Sequence, residues 1–355
     1  MNSFEIYIKE IIQVYDSKMP FVVFKRPNEF KLTAYLPNTN ELIQLSDFEE
    51  DGFVFVPFNS GNKILFPINN SVKKEINFKE EDVIINDIKS NSISNIENEE
   101  TPKKKYIKLV QKAINFIEEG KADKIVLSRI EKINAVNFDI ENSFKKMLWK
   151  YPNAFVYIWF HPKIGLWMGA TPEKLLSVEN NTFKTMALAG TQVYKNVLNV
   201  TWQLKERKEQ QFVTNYIVDS INPFVKEVEI TAPFTIKAGN LLHIRTDISG
   251  KSLTKNSLKS LILALQPTPA VCGLPKSEAT TFILENEKYD RSYYTGFLGE
   301  LNVENKCDLF VNLRCMQLRN NEIYIYVGGG ITKESNAEKE WEETENKAEI
   351  IKSVL

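Results

Sequence analysis

Residues 308–331 read "DLFVNLRCMQLRNNEIYIYVGGGI", and this stretch decides the fold class. Two apolar runs rich in aromatic and β-branched residues follow one another, and only a short polar turn at Asn320 and Asn321 separates them. Strands joined so directly pair in antiparallel fashion, because a parallel connection needs a crossover of about a dozen residues or more. The stretch therefore predicts antiparallel sheet.

The same texture extends to both sides. "FVYIWF" (155–160) and "GLWMG" (165–169) predict a hairpin around His161 and Pro162, and short β-rich runs fill residues 1–85. Residues 106–124 predict an amphipathic helix closed by Gly120, followed by a strand at "KIVLSRIEKI" (124–133). Residues 86–105 are polar and predict a linker or a long surface loop. The fold class is thus α+β, with large antiparallel sheets and helices packed on their outer faces.

Composition excludes several classes of partner. The chain has 355 residues, with 45 basic and 46 acidic side chains and a net charge of −1, so no overall field attracts nucleic acid or an anionic membrane. The N-terminal "MNSFEIYIKEII" lacks the pattern of a signal peptide, and no run approaches the roughly 20 apolar residues of a membrane span. We expect a cytoplasmic protein with a small-molecule ligand. Three cysteines without a CxxC pair and two histidines predict neither a disulfide framework nor a zinc site.

The C-terminal helix, which contains "EKEWEETENKAEII" (338–351), carries two kinds of glutamate. Stepped at about 100° per residue, Glu340, Glu343 and Lys347 fall in the middle of the apolar arc that includes Trp341. The other glutamates fall on the opposite face and are expected to meet water: Glu338, Glu342, Glu345 and Glu349.

A second helix, within residues 201–221, repeats this arrangement. Glu206 and Glu209 lie inside an apolar arc defined by Trp202, Phe212, Val213, Tyr216 and Ile217, while the outward face carries Arg207, Lys208, Gln211 and Thr214. Buried carboxylates are paired, protonated or bound to metal, and four of them favour a hard divalent cation such as Mg²⁺ or Ca²⁺. The alternative is that they form structural salt bridges with Lys205, Lys347 or an arginine.

Three further features are weak when taken singly. Gly328, Gly329 and Gly330 follow a strand, where they form either a simple turn or a close approach to an anionic ligand. Arg314 lies within an apolar strand and needs an anionic partner, which either a substrate carboxylate or a structural glutamate could supply. Lys124 and Glu173 are a plausible base and acid pair, although each alone could be a solvated charge.

Together, the motifs resemble a known family. "KIVLSR", "WMGATPEKLL", "MALAGT", "LQPTPAVCGLPK", "YDRSYYTGFLGEL", "VGGGI" and "EWEETENKAE" occur in the order and approximate spacing of the chorismate-utilising enzymes, and they look most like isochorismate synthases. The resemblance covers roughly residues 105–355. It implies the fold of the anthranilate synthase large subunit (the ADC synthase fold), with two packed antiparallel sheets and helices outside. It also implies that residues 101–355 are the chorismate-binding catalytic domain, which the β-rich residues 1–100 complete.

The resemblance implies a Mg²⁺-dependent reaction that adds water at C2 of chorismate and expels the C4 hydroxyl. Lys124 matches the general base and Glu173 the general acid. Glu209 and Glu343 match direct Mg²⁺ ligands, and Glu206 and Glu340 match supporting positions. The residues that match the substrate-binding positions of the family are Gly190, Thr191, His243, Ala270, Tyr294, Arg314, Gly328 and Lys347.

Related enzymes of the family carry out other reactions on chorismate. Ala270 lies where anthranilate, aminodeoxychorismate and salicylate synthases usually carry threonine, and Ala189 lies where many aminodeoxychorismate synthases place a nucleophilic lysine. Gln266 and Gln192 depart from the histidine and arginine of the family pattern and affect details of the pocket. The resemblance thus implies an isochorismate synthase of menaquinone or siderophore biosynthesis, without a glutaminase subunit. The alternatives are a salicylate synthase and a non-catalytic carboxylate-binding or metal-binding protein of the same fold.

Overall fold

The computed structural model of the chain describes residues 2–85, 100–136, 138–239, 241–252 and 257–355. The helices are α1 (Ser3–Asp16), α2 (Glu100–Glu118), α3 (Ile140–Lys150), α4 (Leu204–Ile221), α5 (Ser257–Leu265), α6 (Lys276–Asn286) and α7 (Ala337–Lys352). The strands are β1 (Phe21–Lys25), β2 (Lys31–Pro37), β3 (Gly52–Val56), β4 (Ile64–Pro67), β5 (Ser71–Asn77), β6 (Lys124–Asn134), β7 (Phe155–His161), β8 (Gly165–Thr171), β9 (Lys174–Glu179), β10 (Thr182–Val193), β11 (Val225–Ile230), β12 (Phe234–Ala238), β13 (Leu241–Ser252), β14 (Gly273–Leu274), β15 (Phe297–Val303), β16 (Lys306–Val311), β17 (Cys315–Arg319) and β18 (Glu322–Ile331).

These strands form two sheets. The first sheet has the order β14-β6-β18-β17-β8-β7-β1-β2-β5, and the second has the order β11-β13-β10-β9-β16-β15-β3-β4, with β12 also paired to β13. Neighbouring strands run antiparallel, including the predicted hairpins β7–β8 and β17–β18. The prediction of large antiparallel sheets is therefore confirmed.

The sheets pack face to face through an aromatic core, and helices cover their outer faces. Phe24 and Trp167 of the first sheet meet Phe55 and Phe310 of the second in one buried cluster. Helices α1, α3 and α7 pack on the outside of the first sheet, and α4 and α5 pack on the outside of the second. The α+β architecture follows from this burial, because each sheet hides one face against the other sheet and one against helices.

Residues 308–318 do not form one strand, contrary to the prediction. Strand β16 ends at Val311 in the second sheet and β17 begins at Cys315 in the first, so the chain changes sheets at residues 312–314. Arg314 takes a left-handed φ of 46° at this crossover. Both strands are buried, so the hydrophobic pattern shows no break where the chain passes from one to the other.

Two other predictions of element position need correction. Gly328, Gly329 and Gly330 lie inside β18, where they pair with Ser128, Leu127 and Val126 of β6, and not in a turn after it. Residues 100–105 belong to α2, and the rest of the predicted linker, 86–99, lies outside the described residues. The N-terminal strands β1, β2 and β5 join the first sheet and β3 and β4 join the second, while the domain division at residue 100 stays a prediction. Among the described residues, no helix combines the length and the apolar character that crossing a membrane requires.

Candidate active site

Two chain segments change sheets side by side, and between them they build one wall of the candidate site. Residues 172–173 connect β8 to β9, and residues 312–314 connect β16 to β17. The Val311 amide donates to the Glu173 carbonyl at 3.0 Å, and the Ala170 amide donates to the Arg314 carbonyl at 3.1 Å. These bonds hold Glu173 and Arg314 beside each other although they are far apart in sequence.

A cavity of about 80 Å³ lies at this junction. It is lined by the predicted catalytic acid Glu173, by the predicted metal ligands Glu209 and Glu343, and by every predicted substrate-binding residue: Gly190, Thr191, His243, Ala270, Tyr294, Arg314, Gly328 and Lys347. Lys124, Glu206 and Glu340 stand directly behind the lining, next to Gly330, Gly190 and Gly329 respectively. The structure thus brings all the sequence-predicted site residues together.

Glu173 is a buried carboxyl with a strongly perturbed acidity. It is 4% exposed and makes no ion pair with any described residue. Burial raises the pKa of Glu173 to about 7, against the opposing charges of Lys124, Arg314 and Lys347. A carboxyl with this pKa is partly protonated near neutral pH and can donate a proton to a leaving group.

Lys124 opens β6 and is 1% exposed. Its Nζ lies 2.9 Å from Oε1 of Glu209 on α4, so the predicted base and a predicted metal ligand form a buried ion pair. Gly330 makes this contact possible, since a Cβ at that position would stand 2.6 Å from Glu209 Oε1 and 2.8 Å from Lys124 Cε. The glycine run therefore serves a close approach of side chains to the backbone of β18.

The inward residues of α7 also have cationic partners. Lys347 Nζ donates to Glu343 Oε1 at 2.6 Å and to the Gly328 carbonyl at 2.7 Å, and Lys205 Nζ of α4 donates to Glu340 Oε1 at 2.8 Å. Burial and the neighbouring Glu343 raise the pKa of Glu340. Although burial acts in the opposite direction, Lys347 and Lys205 hold the pKa of Glu343 below its usual value. The salt bridges that were the alternative to a metal site are therefore present, between Lys347 and Glu343 and between Lys205 and Glu340.

The division of glutamates on α7 is confirmed with one exception. Glu338, Glu342 and Glu349 are exposed and Glu340 is buried. Glu345, expected to meet water, is half-buried and forms an ion pair with Arg129, whose guanidinium stacks 4.1 Å from the Trp341 ring centroid. A basic strand residue under the helix explains the difference.

On α4 the inward carboxylates are found as expected, but the boundary of the apolar arc differs. Phe212 is 40% exposed and Thr214 is buried, whereas the prediction had them the other way round. The buried Gln210 explains this shift, because its amide donates to Thr214 Oγ1 at 2.8 Å and to Thr246 Oγ1 of β13 at 2.7 Å. A polar contact with the sheet therefore replaces part of the expected apolar one.

The opposite wall contains a neutral histidine. His243 Nδ1 lies 2.8 Å from the Gly190 carbonyl, to which it donates, and Nε2 lies 3.4 Å from Nη2 of Arg314. Burial and the Arg314 charge lower the pKa of His243 to about 3, so the ring carries no charge. Gly190 has a φ of 71°, and a Cβ there would lie 3.1 Å from Glu206 Cβ, so this irregularity in the pairing of β10 requires glycine. Arg314 is half-buried and makes no ion pair with any described residue, which leaves its guanidinium free for an anionic ligand.

The carboxylates fit a hydrated divalent cation. Among the described ranges, no three His, Cys, Asp or Glu side chains stand close enough together to hold a metal ion. Lysine ammonium groups already form ion pairs with Glu209, Glu340 and Glu343. Glu206 Oε2 and Glu340 Oε2 are nevertheless buried without a hydrogen-bond partner. Buried acceptors of this kind are explained by an ion or a water molecule, and an all-oxygen donor set suits Mg²⁺.

Some residues of the site escaped the sequence-based prediction. Tyr326 lines the cavity and stacks on Tyr294 with ring centroids 5.5 Å apart. Tyr324 and Tyr326 are two residues apart in a predicted strand and so share one face of it, a pattern that could have indicated Tyr326. Lys205 was considered only as a salt-bridge partner, although its spacing of four residues from Glu209 places both on one helix face.

The chain is similar to known proteins over most of its length. The model of a family described as "Chorismate binding enzyme" matches residues 60–355. Isochorismate synthase EntC of Escherichia coli strain K12 is 28% identical over 281 residues, which cover 75% of this chain and 71% of that protein. MenF, the menaquinone-specific isochorismate synthase from Escherichia coli, has a solved structure that matches with a TM-score of 0.75 at 20% identity, covering 95% of this chain and 88% of that one. Anthranilate synthase component I from Streptococcus pneumoniae matches with a TM-score of 0.68 at 19% identity, over 94% of this chain and 92% of that one. The predicted anthranilate synthase-like fold is confirmed.

Proposed function

Because the chain belongs to the chorismate-binding enzyme family, we propose that it is an isochorismate synthase, an isomerase that adds water at C2 of chorismate and expels the C4 hydroxyl. The observation that carries the proposal is the buried Glu173 with a pKa of about 7, in the same cavity region as Lys124. An acid and a base held apart in one closed pocket suit the addition of water and the loss of hydroxide.

Glu173 is the general acid of the proposed reaction. Its carboxyl group, raised in pKa by burial, delivers its proton to the departing C4 oxygen. The hydrogen bond between its backbone carbonyl and the Val311 amide fixes the position from which it does so. Once ionised, Glu173 is stabilised by the charges of Lys124, Arg314 and Lys347.

Lys124 is the general base that activates the water. A lysine base acts as the free amine. The Nζ of Lys124 lies 2.9 Å from Oε1 of Glu209 and next to Gly330, which lines the cavity.

The cationic groups of the cavity suit the two carboxylates of chorismate. Arg314, Tyr294 and Gly328 lie on the side proposed for the enolpyruvyl carboxylate, and the half-buried guanidinium of Arg314 has no ion-pair partner among the described residues. The neutral His243 keeps its Nδ1–H on the Gly190 carbonyl and lies beside the ring.

Mg²⁺ is the proposed cofactor, and when bound it neutralises the ring carboxylate and polarises the ring. Glu209 and Glu343 would hold it directly, with Glu206 and Glu340 in supporting positions. The unpartnered oxygens Glu206 Oε2 and Glu340 Oε2 support this assignment. Lys124 and Lys347, which now bond to Glu209 and Glu343, would be released towards the substrate.

Incubation of the purified protein with chorismate and Mg²⁺ tests the proposal. We expect isochorismate, identified by chromatography, and about 10²-fold less of it or lower still when Lys124 is replaced by Met. Fluorescence of salicylate in the same assay would indicate a salicylate synthase. We do not expect it, because Ala270 lies where salicylate synthases usually carry threonine. Chorismate that is bound but not converted would indicate the non-catalytic alternative. Since water is the nucleophile, no glutaminase subunit is needed.

The resemblance to the family implies two physiological roles, menaquinone and siderophore biosynthesis. MenF is described as menaquinone-specific, and we propose one of these two pathways for this protein. Neighbouring genes distinguish them. A cytoplasmic location stays a prediction from the sequence.

A further inference from the structure

Tyr106 is a buried tyrosine whose hydroxyl has no partner. It lies near the start of α2, is 3% exposed, and its Oη makes no hydrogen bond with any described residue. Leaving a buried hydroxyl unpaired is unfavourable, so such a group calls for an explanation in terms of an ion, water or ligand. The reaction proposed above makes no use of it.

The hydroxyl faces the acidic side of α7. A Cβ built on Gly329 would stand 3.3 Å from Glu340 Oε2, 3.6 Å from Glu343 Oε1 and 3.9 Å from Tyr106 Oη. Because Gly329 has no side chain, these three oxygen atoms surround a small gap against the backbone of β18. Glu340 Oε2 is itself buried without a partner. A free donor and a free acceptor therefore border the same gap.

The two groups are matched in hydrogen-bonding character. A tyrosine hydroxyl donates a hydrogen bond, and the Glu340 oxygen that faces the same gap accepts one. A polar gap with several convergent partners is the kind of site that holds an ordered water. Mg²⁺ in proteins usually keeps several of its waters, which outer residues orient by hydrogen bonds.

We propose that the Tyr106 hydroxyl binds a water molecule of the Mg²⁺ hydration shell and bridges it to Glu340. Tyr106 is thus a positioning residue of the metal site, contributed by a third helix, and the inference rests on the proposed Mg²⁺ dependence. Its ring serves a separate purpose, because it packs on Trp341 with centroids 6.0 Å apart.

Tyr106→Phe separates the two roles, since it keeps the ring and removes only the hydroxyl. Without Mg²⁺ the variant should be as stable as the wild type or slightly more stable, because the unpaired hydroxyl is gone. With Mg²⁺ we expect an affinity about five-fold weaker, the factor that corresponds to one hydrogen bond of about 1 kcal/mol. A purely structural hydroxyl would show the reverse pattern.

The experiment is calorimetric titration of chelator-treated full-length protein with MgCl₂, together with urea unfolding in EDTA. Tyr7→Phe is the matched control, because Tyr7 is a buried tyrosine of α1 whose Oη lies 3.5 Å from the Lys74 carbonyl of β5 and does not border the gap at Gly329. It should leave Mg²⁺ affinity unchanged.

Equal Mg²⁺ affinity in wild type and Tyr106→Phe overturns the inference, and so does a wild-type protein that takes up no Mg²⁺. Neither the calorimetric titration nor the urea unfolding uses chorismate. A Tyr106-dependent affinity in a protein that fails to make isochorismate would therefore support the inference while refuting the proposed function.

Discussion

Replacing Glu173 by Gln should remove activity and at the same time stabilise the metal-free protein at alkaline pH. The carboxyl is 4% exposed and forms no ion pair within the described part of the chain. Glutamine keeps its shape and size but never carries the charge, so the variant isolates the cost of burying a carboxylate.

The size of the effect follows from the shift in pKa. The pKa of Glu173 rises from 4.5 to about 7 on folding. The folded state therefore binds the proton more tightly than the unfolded state, and the free energy of unfolding falls as pH rises from 4.5 to about 7. At about 1.4 kcal/mol per pKa unit, this one group costs the wild type about 3 kcal/mol above pH 7. Glu173→Gln lacks this loss.

The same substitution removes the proton donor for the C4 hydroxyl. Loss of a general acid lowers turnover by about 10²- to 10⁴-fold. In the wild type the acid role requires the protonated form, so activity declines on the alkaline side of the pH profile, as pH rises through about 7. A gain in stability coupled to a loss of turnover is typical of a strained functional group.

The assay is urea unfolding at pH 5 and pH 8.5 in EDTA, with chorismate turnover measured in parallel. Glu50→Gln is the control, because, against the effect of burial, hydrogen bonds from the Ser46 hydroxyl and amide lower the pKa of Glu50 to about 2, and Glu50 does not line the cavity. The control should be less stable and keep its turnover. A Glu173→Gln variant that loses stability at pH 8.5 would refute the reasoning.

Three other predictions concern the acidic helices and the base. Glu343→Gln should abolish Mg²⁺-dependent turnover whereas the exposed Glu342→Gln should keep it; the opposite result would show that the helix face is wrongly assigned. Lys124→Met should lower turnover by about 10²-fold or more while calorimetry still detects chorismate binding, and unchanged turnover would exclude the lysine as base. Lys205→Gln should destabilise the Mg²⁺-free protein by about 1 kcal/mol, because it leaves the buried Glu340 without its cationic partner. The effect is modest because the Lys205 side chain is partly exposed to water. Saturating Mg²⁺ should reduce that difference in urea midpoint, and a difference that grows with Mg²⁺ would contradict it.

Much of the fold could be predicted because its signals are local. Direct succession of strands gives antiparallel pairing, as at β7–β8, and helical periodicity places Glu340 inward on α7. The crossover at Arg314 could not be predicted, because both strands that flank it are buried and their apolar pattern is continuous. Which of two stacked sheets a strand joins is a tertiary property.

The site shows the same limit. Resemblance to the family grouped Lys124, Glu173 and Glu209 correctly in one pocket, yet the pairing of Lys124 with Glu209 depends on how closely α4 approaches β18. Tyr106 has no signal of its own, because an aromatic residue at the start of an amphipathic helix is ordinarily part of the core. Only its unpaired hydroxyl distinguishes it.

The paired crossovers also make the activity depend on both sheets. Each of the two segments leaves one sheet and enters the other, so neither sheet alone contains a complete wall of the pocket. The residues that meet there are remote in sequence, so the pocket exists only when both sheets are in place. A fragment limited to one sheet should therefore lack its chemistry. Turnover should report the integrity of the whole molecule.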